Sequence, residues 1–269
     1  MKKFFLQLLF LPCCLIAAEK VVSLSPAVTE LILYAGGKDL LCGRSSVCDD
    51  PAVRDLPVAG DLGRPVVEAV LKSGATVVVS DIRHPGALWK KLEKCGIKVV
   101  MLPAEKLSDL PDNVEKTGKV LNLPEAAGKA AGLRKRIEKL KQDPPAIRYR
   151  VVVLFSVSPL VTCGKESFIS EALSLAGLDN AAGSAGKGYF ILSAEYLCRL
   201  DPEVILLAGV PEEAAARYFR HPVFRDMAAV RHGRIVHLDA NRWSRLTPGI
   251  IQAAEELKLR SGSISRAAE

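Results

Sequence analysis

The sequence predicts an α/β protein built as two three-layer lobes with mostly parallel sheets, joined by one long helix. Three observations carry this. First, a unit recurs: Glu68–Ser80, EAVLKSGATVVVS, returns as Glu195–Leu207, EYLCRLDPEVILL. In each copy a glutamate leads, a turn pair follows (Gly74-Ala75 or Asp201-Pro202), and an apolar run then begins at Val77 or Val204. Two copies are too few for a solenoid and indicate two related lobes, with one glutamate at the same place in each. Second, short apolar runs alternate with helix-period segments in both halves, which means parallel pairing through helical crossovers. Third, Asp109–Gln142 breaks that rhythm, with apolar residues at helical spacing and no strand signal.

Taken in order, Val21–Leu24 reads as a strand. Ser25 caps a helix, and Pro26 takes its first position, where no N–H is needed. Val28, Leu31, Ile32 and Ala35 recur at helical spacing until Gly36-Gly37 stops the helix. Leu40–Gly43 is a strand, and 44–65 is loop-rich. Helix Val66–Lys72 feeds strand Thr76–Ser80, and helix Pro85–Cys95 feeds strand Lys98–Leu102. Pro124 kinks the following segment or begins its main helix, Ala126–Gln142, which is rich in good helix formers and ends before Pro144-Pro145. At 1.5 Å per residue that helix is a rod of roughly 25 Å, long enough to span two lobes. The second half repeats the pattern: strand Tyr149–Phe155, helix Phe168–Ala176, and a Gly/Ala-rich loop over Asn180–Phe190. The repeated helix begins at Ser193, helical segments cover Glu212–Tyr218 and Pro222–Val230, Ile235–Leu238 is the last strand, and Gly249–Lys258 is the last helix. The expected organisation is a signal peptide over 1–18, an N-terminal lobe over 19–108, a linker helix over 109–145 and a C-terminal lobe over 146–269.

The N-terminus carries its own signal. Lys2-Lys3 precedes FFLQLLFLPCCLIAA, an apolar run too short for a comfortable membrane span. The basic, apolar and small-residue regions make a secretory signal peptide cleaved after Ala18. The alternative is a lipid anchor at Cys14, with Leu11 three residues before it and the small Cys13 just before. Five cysteines remain after cleavage: Cys42, Cys48, Cys95, Cys163 and Cys198. An odd number cannot all pair in an oxidising compartment. Cys42 and Cys48 are close enough in sequence to bridge, and the others suit small buried sites.

Composition narrows the function. Hydrophobic residues make up 49% and charged residues 25%, as in ordinary globular proteins. Only 6% are aromatic, which argues against a base- or sugar-stacking surface. The formal charge of +7 falls to +5 without Lys2 and Lys3, and no dense basic block with interleaved aromatics occurs, so nucleic acid is not an expected partner. The GxxxxGK[ST] phosphate loop, the GxSxG elbow and HExxH are all absent, so no enzyme is expected. The four histidines, His84, His221, His232 and His237, show no helical ligand spacing, so no bare metal site is expected.

Six stretches together resemble the periplasmic substrate-binding proteins of ABC importers for vitamin B12, ferric siderophores and haem. They are VVSLSPAVTELILYAGG from Val21, GRSSVCDDP at 43–51, LPVAGDLGRPVVEAVLKSGATVVVS at 56–80, TCGKESFISEALSLAGLDNAAG at 162–183, LSAEYLCRLDPEVILLAG at 192–209 and RWSRLTP at 242–248. The resemblance covers nearly all of the mature chain. It implies the class III periplasmic-binding fold, a monomer whose cleft between two lobes holds the ligand. It also gives the repeated glutamates a role: Glu68 and Glu195 match the acidic residues, one per lobe, that dock onto basic residues of the permease dimer with its ATPase.

Cleft-facing loops follow the strands in such sheets. They supply Arg44, Leu62, Arg64, Asp81, Arg83, Tyr189, Trp243 and Arg245 as candidate ligand-binding residues. The B12-binding members carry aromatics at the positions of Val47, Leu62, Asp81 and Tyr189. Here only Tyr189 is aromatic, which weighs against a corrin. A basic set, Arg44, Arg64, Arg83, Lys187, Arg242 and Arg245, suits carboxylates, catecholates and phosphates. The expected cargo is therefore an anionic metal chelate, a ferric siderophore or haem, with no intrinsic cofactor. A cobalamin or corrinoid receptor is the alternative within the family, and a sensor or enzyme on the same scaffold the alternative outside it.

Overall fold

A computed structural model describes residues 19–82, 84, 86–143 and 148–264, with side chains described to residue 260. The signal-peptide and Cys14 readings, Arg83 and the stop at Pro144-Pro145 lie outside the described residues.

The first half begins with β1 (Val21–Ser23), α1 (Pro26–Ala35), β2 (Leu41–Ser45), β3 (Val58–Asp61) and β4 (Arg64–Pro65). It continues through α2 (Val67–Lys72), β5 (Val77–Ser80), α3 (Leu88–Lys94) and β6 (Lys98–Met101). Two helices follow, α4 (Asp109–Leu121) and α5 (Ala126–Gln142). The second half opens with β7 (Tyr149–Leu154), β8 (Ser156–Val157), β9 (Leu160–Cys163), α6 (Phe168–Leu175), β10 (Leu178–Asn180) and β11 (Tyr189–Ile191). It ends with α7 (Ala194–Leu200), β12 (Val204–Ala208), α8 (Glu212–Phe219), α9 (Ala228–Arg231), β13 (Ile235–Leu238), α10 (Ala240–Trp243) and α11 (Pro248–Ile264).

The recurrence in the sequence is a recurrence in topology. One sheet has the order β4-β3-β2-β1-β5-β6 and the other β10-β7-β12-β13. The strand after each repeated glutamate, β5 or β12, lies centrally and pairs in parallel on both sides. Because successive strand residues face opposite sides, each sheet divides its apolar residues between two layers. Val21, Val77 and Val79 face one core while Val22 and Val78 face another with Val67, Val70 and Leu92. In the second sheet Val151, Val153, Val204 and Leu206 face the first core, and Val152, Leu154, Ile205 and Leu207 face a third. The first core is thus continuous through both sheets, carried between them by Ala130, Leu133 and Ile137 of α5 and by Ile250, Ile251 and Ala254 of α11.

Residues 109–142 fold as two helices instead of one. Asn122 takes a left-handed conformation (φ 53°) and the following N–H, of Leu123, closes α4 on Gly118 O, so the chain turns before Pro124. The 17-residue α5 is the rod expected from the sequence. The loop-rich region 44–65 contains β3 and β4, and the Gly/Ala-rich loop ends in β11, an edge of the small antiparallel sheet β11-β9-β8. All five described cysteines are free thiols, so Cys42 and Cys48 do not bridge; Cys48 is buried against the hydroxyls of Thr29 and Ser45.

Candidate functional site

Segments that leave the carboxyl ends of the two main sheets meet through side chains. Chain leaving β2 reaches Asp49, and chain leaving β13 reaches Asn241 and Arg245. Asn241 Nδ2 donates to Asp49 Oδ2 at 3.3 Å, and Arg245 donates to the same oxygen at 2.9 Å and to Glu30 Oε1 at 2.6 Å. These contacts tie the loop after β2 to the segment after β13 and make the floor of the candidate site. Arg245 is half-sequestered there by Glu30 and Asp49, and the guanidinium holds the Asp49 carboxyl below the usual aspartate range.

The rim on the N-terminal side is assembled from three loops. Ser46 Oγ donates to Asp61 Oδ1 at 2.7 Å, joining the loop after β2 to the β3–β4 turn. His84 Nε2 lies 3.1 Å from Leu62 O, joining that turn to the loop after β5. Gly63 sits in the left-handed region (φ 61°), and a Cβ there would come 2.8 Å from Ile82 O, so only glycine lets the two loops meet. This brings together Val47, Leu62, Arg64 and Asp81. Val47 and Leu62 are exposed at 46% and 38%, unusual for apolar side chains and apt for a ligand wall. Asp81 is mostly buried with its Oδ1 lacking a hydrogen-bond partner; burial pushes its carboxyl up and the Ser25 hydroxyl pulls it partly back.

On the other side, Tyr189 stands at the start of β11 with 52% of its surface open and its ring edge-on to Phe155 at 5.1 Å. Phe155 was not among the expected site residues. Its signal was its place: it ends the apolar run of β7, at the carboxyl edge of the sheet. Behind Tyr189, Gly164 packs so closely on the Gly186 backbone that a Cβ would lie 2.0 Å from Gly186 O, fixing the loop that presents Lys187. Lys187 is exposed and 3.4 Å from Glu166.

Several expected ligand residues have other work. Trp243 is 3% exposed and packs in the shared core, because α10 turns its ring inward. Arg44 donates to Ser45 O, Cys48 O and Arg54 O, so its guanidinium braces its own loop. Arg242 is held by Glu256 through both terminal nitrogens. Of the expected basic set, Arg64 and Lys187 are the described cations exposed at the rim, Lys187 in a solvent-exposed pair with Glu166. Among the described residues no group of three or more His, Cys, Asp or Glu side chains could hold a metal ion, and no helix is long and apolar enough to cross a membrane.

Glu68 and Glu195 occupy the first turns of α2 and α7 and are both exposed. Each carboxyl is held below the usual glutamate range, first by its own backbone N–H and then by Lys91 for Glu68 and Ser193 for Glu195. Lys91 lies 3.5 Å from Glu68.

Comparison with known proteins places this geometry. The family described as "Periplasmic binding protein" matches residues 21–242. A vitamin B12-binding protein of Vibrio vulnificus (strain CMCP6) is 25% identical over 245 residues, 89% of this chain and 88% of its own. The periplasmic vitamin B12-binding protein of Vibrio cholerae superposes with a TM-score of 0.79 at 24% identity, over 93% of this chain and 98% of that one. A periplasmic haem-binding protein from Roseiflexus sp. RS-1 gives 0.77 at 22% identity, over 94% and 100%. At these identities the structural likeness speaks to the fold.

Proposed function

The chain belongs to the periplasmic binding protein family, and from that premise we propose that it is an extracytoplasmic receptor that delivers an anionic metal chelate, a ferric siderophore or haem, to an ABC importer. The observation that carries the cargo class is the make-up of the rim. Val47, Leu62 and Tyr189, its ring against Phe155, offer exposed apolar surface, and Arg64 and Lys187 are exposed beside it, Lys187 in a solvent-exposed pair with Glu166. An apolar body with peripheral anionic groups satisfies both: the body covers the exposed apolar side chains and the charges meet the two cations. Asp81, with an unpaired buried oxygen, supplies an acceptor for a hydroxyl or N–H of the ligand.

A corrinoid is the second reading. It is favoured by the exposed apolar wall and by relatives named as vitamin B12-binding proteins. Calorimetric titration with haemin, a ferric catecholate and cobalamin separates the two. The first reading expects binding of haemin or the ferric catecholate, weakened about tenfold by Arg64→Ala with Lys187→Ala. Tight cobalamin binding that ignores those substitutions would replace it with the second.

Delivery is assigned to Glu68 and Glu195. Two exposed carboxylates at equivalent places on two lobes suit two basic sites on a permease dimer, and opposite charge raises the rate of productive encounter. The receptor is taken as a periplasmic monomer without catalytic activity, with residues 1–18 as its export signal.

A further inference from the structure

A cavity of about 670 Å³ opens beside Glu195. Val157, Ala194, Ala214, Tyr218, Val223 and Phe224 give it an apolar lining, and Glu195 stands at its edge. None of these residues belongs to the cleft rim. Val223 keeps 49% of its surface exposed, and Tyr218, Phe219 and Phe224 pack ring on ring beneath it, so the wall is rigid. Glu195 has no ion pair among the described residues. A preformed apolar hollow next to an unpaired carboxylate is complementary to a cation carried beside an apolar side chain.

Surroundings of the other repeated glutamate point to the same partner chemistry. Glu68 stands among Val66, Leu71 and Leu88, exposed at 50%, 44% and 45%. Both carboxylates therefore sit in apolar surface, where a charge pair is less screened by water. The two differ in one respect: Lys91 already approaches Glu68, while Glu195 forms no ion pair among the described residues and has the cavity.

We propose that the cavity beside Glu195 receives an apolar side chain of the permease, adjacent in that chain to the basic residue that pairs with Glu195, and that the C-terminal lobe is thereby the stronger anchor. This rests on the docking reading of Glu195 and specifies its partner. Arg217 and His221, the basic side chains of the lining, disfavour a segment with a second cation there.

The test measures equilibrium affinity of the ligand-loaded receptor for its permease–ATPase complex in lipid nanodiscs. Ala214→Trp fills the cavity, and Ala214→Leu is the milder filler should the first fail to fold; unchanged ligand affinity and melting temperature mark a folded receptor. The proposal expects about a tenfold loss of transporter affinity for the filled cavity, and a larger loss for Glu195→Ala than for Glu68→Ala. Wild-type affinity with the cavity filled overturns it while Glu195→Ala alone decides the docking reading. Loss on filling, with Glu195→Ala at wild-type affinity, would keep the cavity contact and remove the carboxylate from docking.

Discussion

Arg245 donates to Asp49 at 2.9 Å across the floor of the candidate site, and its other terminal nitrogen reaches Glu30 at 2.6 Å. One guanidinium of the C-terminal lobe thus neutralises two carboxylates of the N-terminal lobe. Charge-assisted hydrogen bonds are stronger than neutral ones, and half-burial of the arginine limits screening. Arg245→Ala strands both carboxylates near each other. The expected cost is about 1–3 kcal/mol, between values for exposed and buried pairs, read as a lower urea midpoint. Arg245→Lys keeps the charge but loses the fork, so it should recover only part. An unchanged midpoint in Arg245→Ala would show that the floor contributes nothing to stability.

The same contact sets a pH signature. The Asp49 carboxyl is lowered chiefly by its hydrogen bond from Arg245. A group depressed in the folded state contributes stability above its unfolded pKa, near 3.9, and loses it as pH falls through the folded value. The stability gap between wild type and Arg245→Ala should therefore be full at pH 6 and shrink below about pH 4. Denaturation midpoints at several pH values measure it; a gap that widens on acidification contradicts the assignment.

Asp81 behaves in the opposite sense. Burial raises its carboxyl, and one oxygen has no partner. For a raised carboxyl the penalty is absent below the unfolded pKa and grows as pH rises toward and through the folded value. Asp81→Asn should stabilise the ligand-free receptor at pH 7 and make no difference near pH 3. The same change should weaken a ligand that donates to Asp81. Melting temperatures at the two pH values, with a ligand titration, test both halves.

How much was legible in the sequence follows from the range of the forces involved. Ser25-Pro26, the Ala-Gly helix ends and the apolar runs act locally, so α1, β5, α5, β12 and β13 appear where their residues place them. β3, β4 and β8 are too short to show a period-two pattern, and β4 and β8 exist only as one arm of a tight hairpin, which leaves little trace in the sequence. The site was half legible for the same reason. Leu62, Arg64, Asp81 and Tyr189 lie where their place at or just beyond the sheets' strand ends puts them. Arg44, Arg245 and Trp243 had the right address, but their side chains turned to partners that only the fold supplies: carbonyls of a neighbouring loop, carboxylates 196 and 215 residues away, and the shared core.

Lys91 and Glu68 provide a further test of docking. Their 3.5 Å separation at 59% and 79% side-chain exposure makes a weak, salt-sensitive pair, which the proposed docking requires a transporter cation to displace. Lys91→Ala should raise the association rate with the transporter about two- to fivefold at low salt. The gain should fade above the ionic strength at which the Debye length falls below about 8 Å. Surface plasmon resonance at two salt concentrations reads this. An equal rate in both proteins at low salt would mean that Glu68 is not where the cation lands.

Cleft closure should be small. α5 is a continuous 17-residue helix whose Ala130, Leu133 and Ile137 lie in a core shared by both sheets. Arg136 grips Glu255 of α11 through two nitrogens at 3.0 and 2.7 Å, and Arg134 grips Asp112 and Glu115 of α4 at 2.7 Å. Opening the lobes by a large hinge would expose that core and break close packing, which deforms little before it fails. Ligand can shift the lobes only by its differential affinity for the two states. Rocking of a few degrees leaves the core intact and changes the overall dimensions little. Small-angle scattering with and without ligand should show a radius of gyration changed by less than about 0.5 Å against the roughly 18 Å of a compact chain this long. A larger compaction would mean that α5 bends, and Leu133→Ala, which loosens its packing by about 2–4 kcal/mol, should then enlarge it.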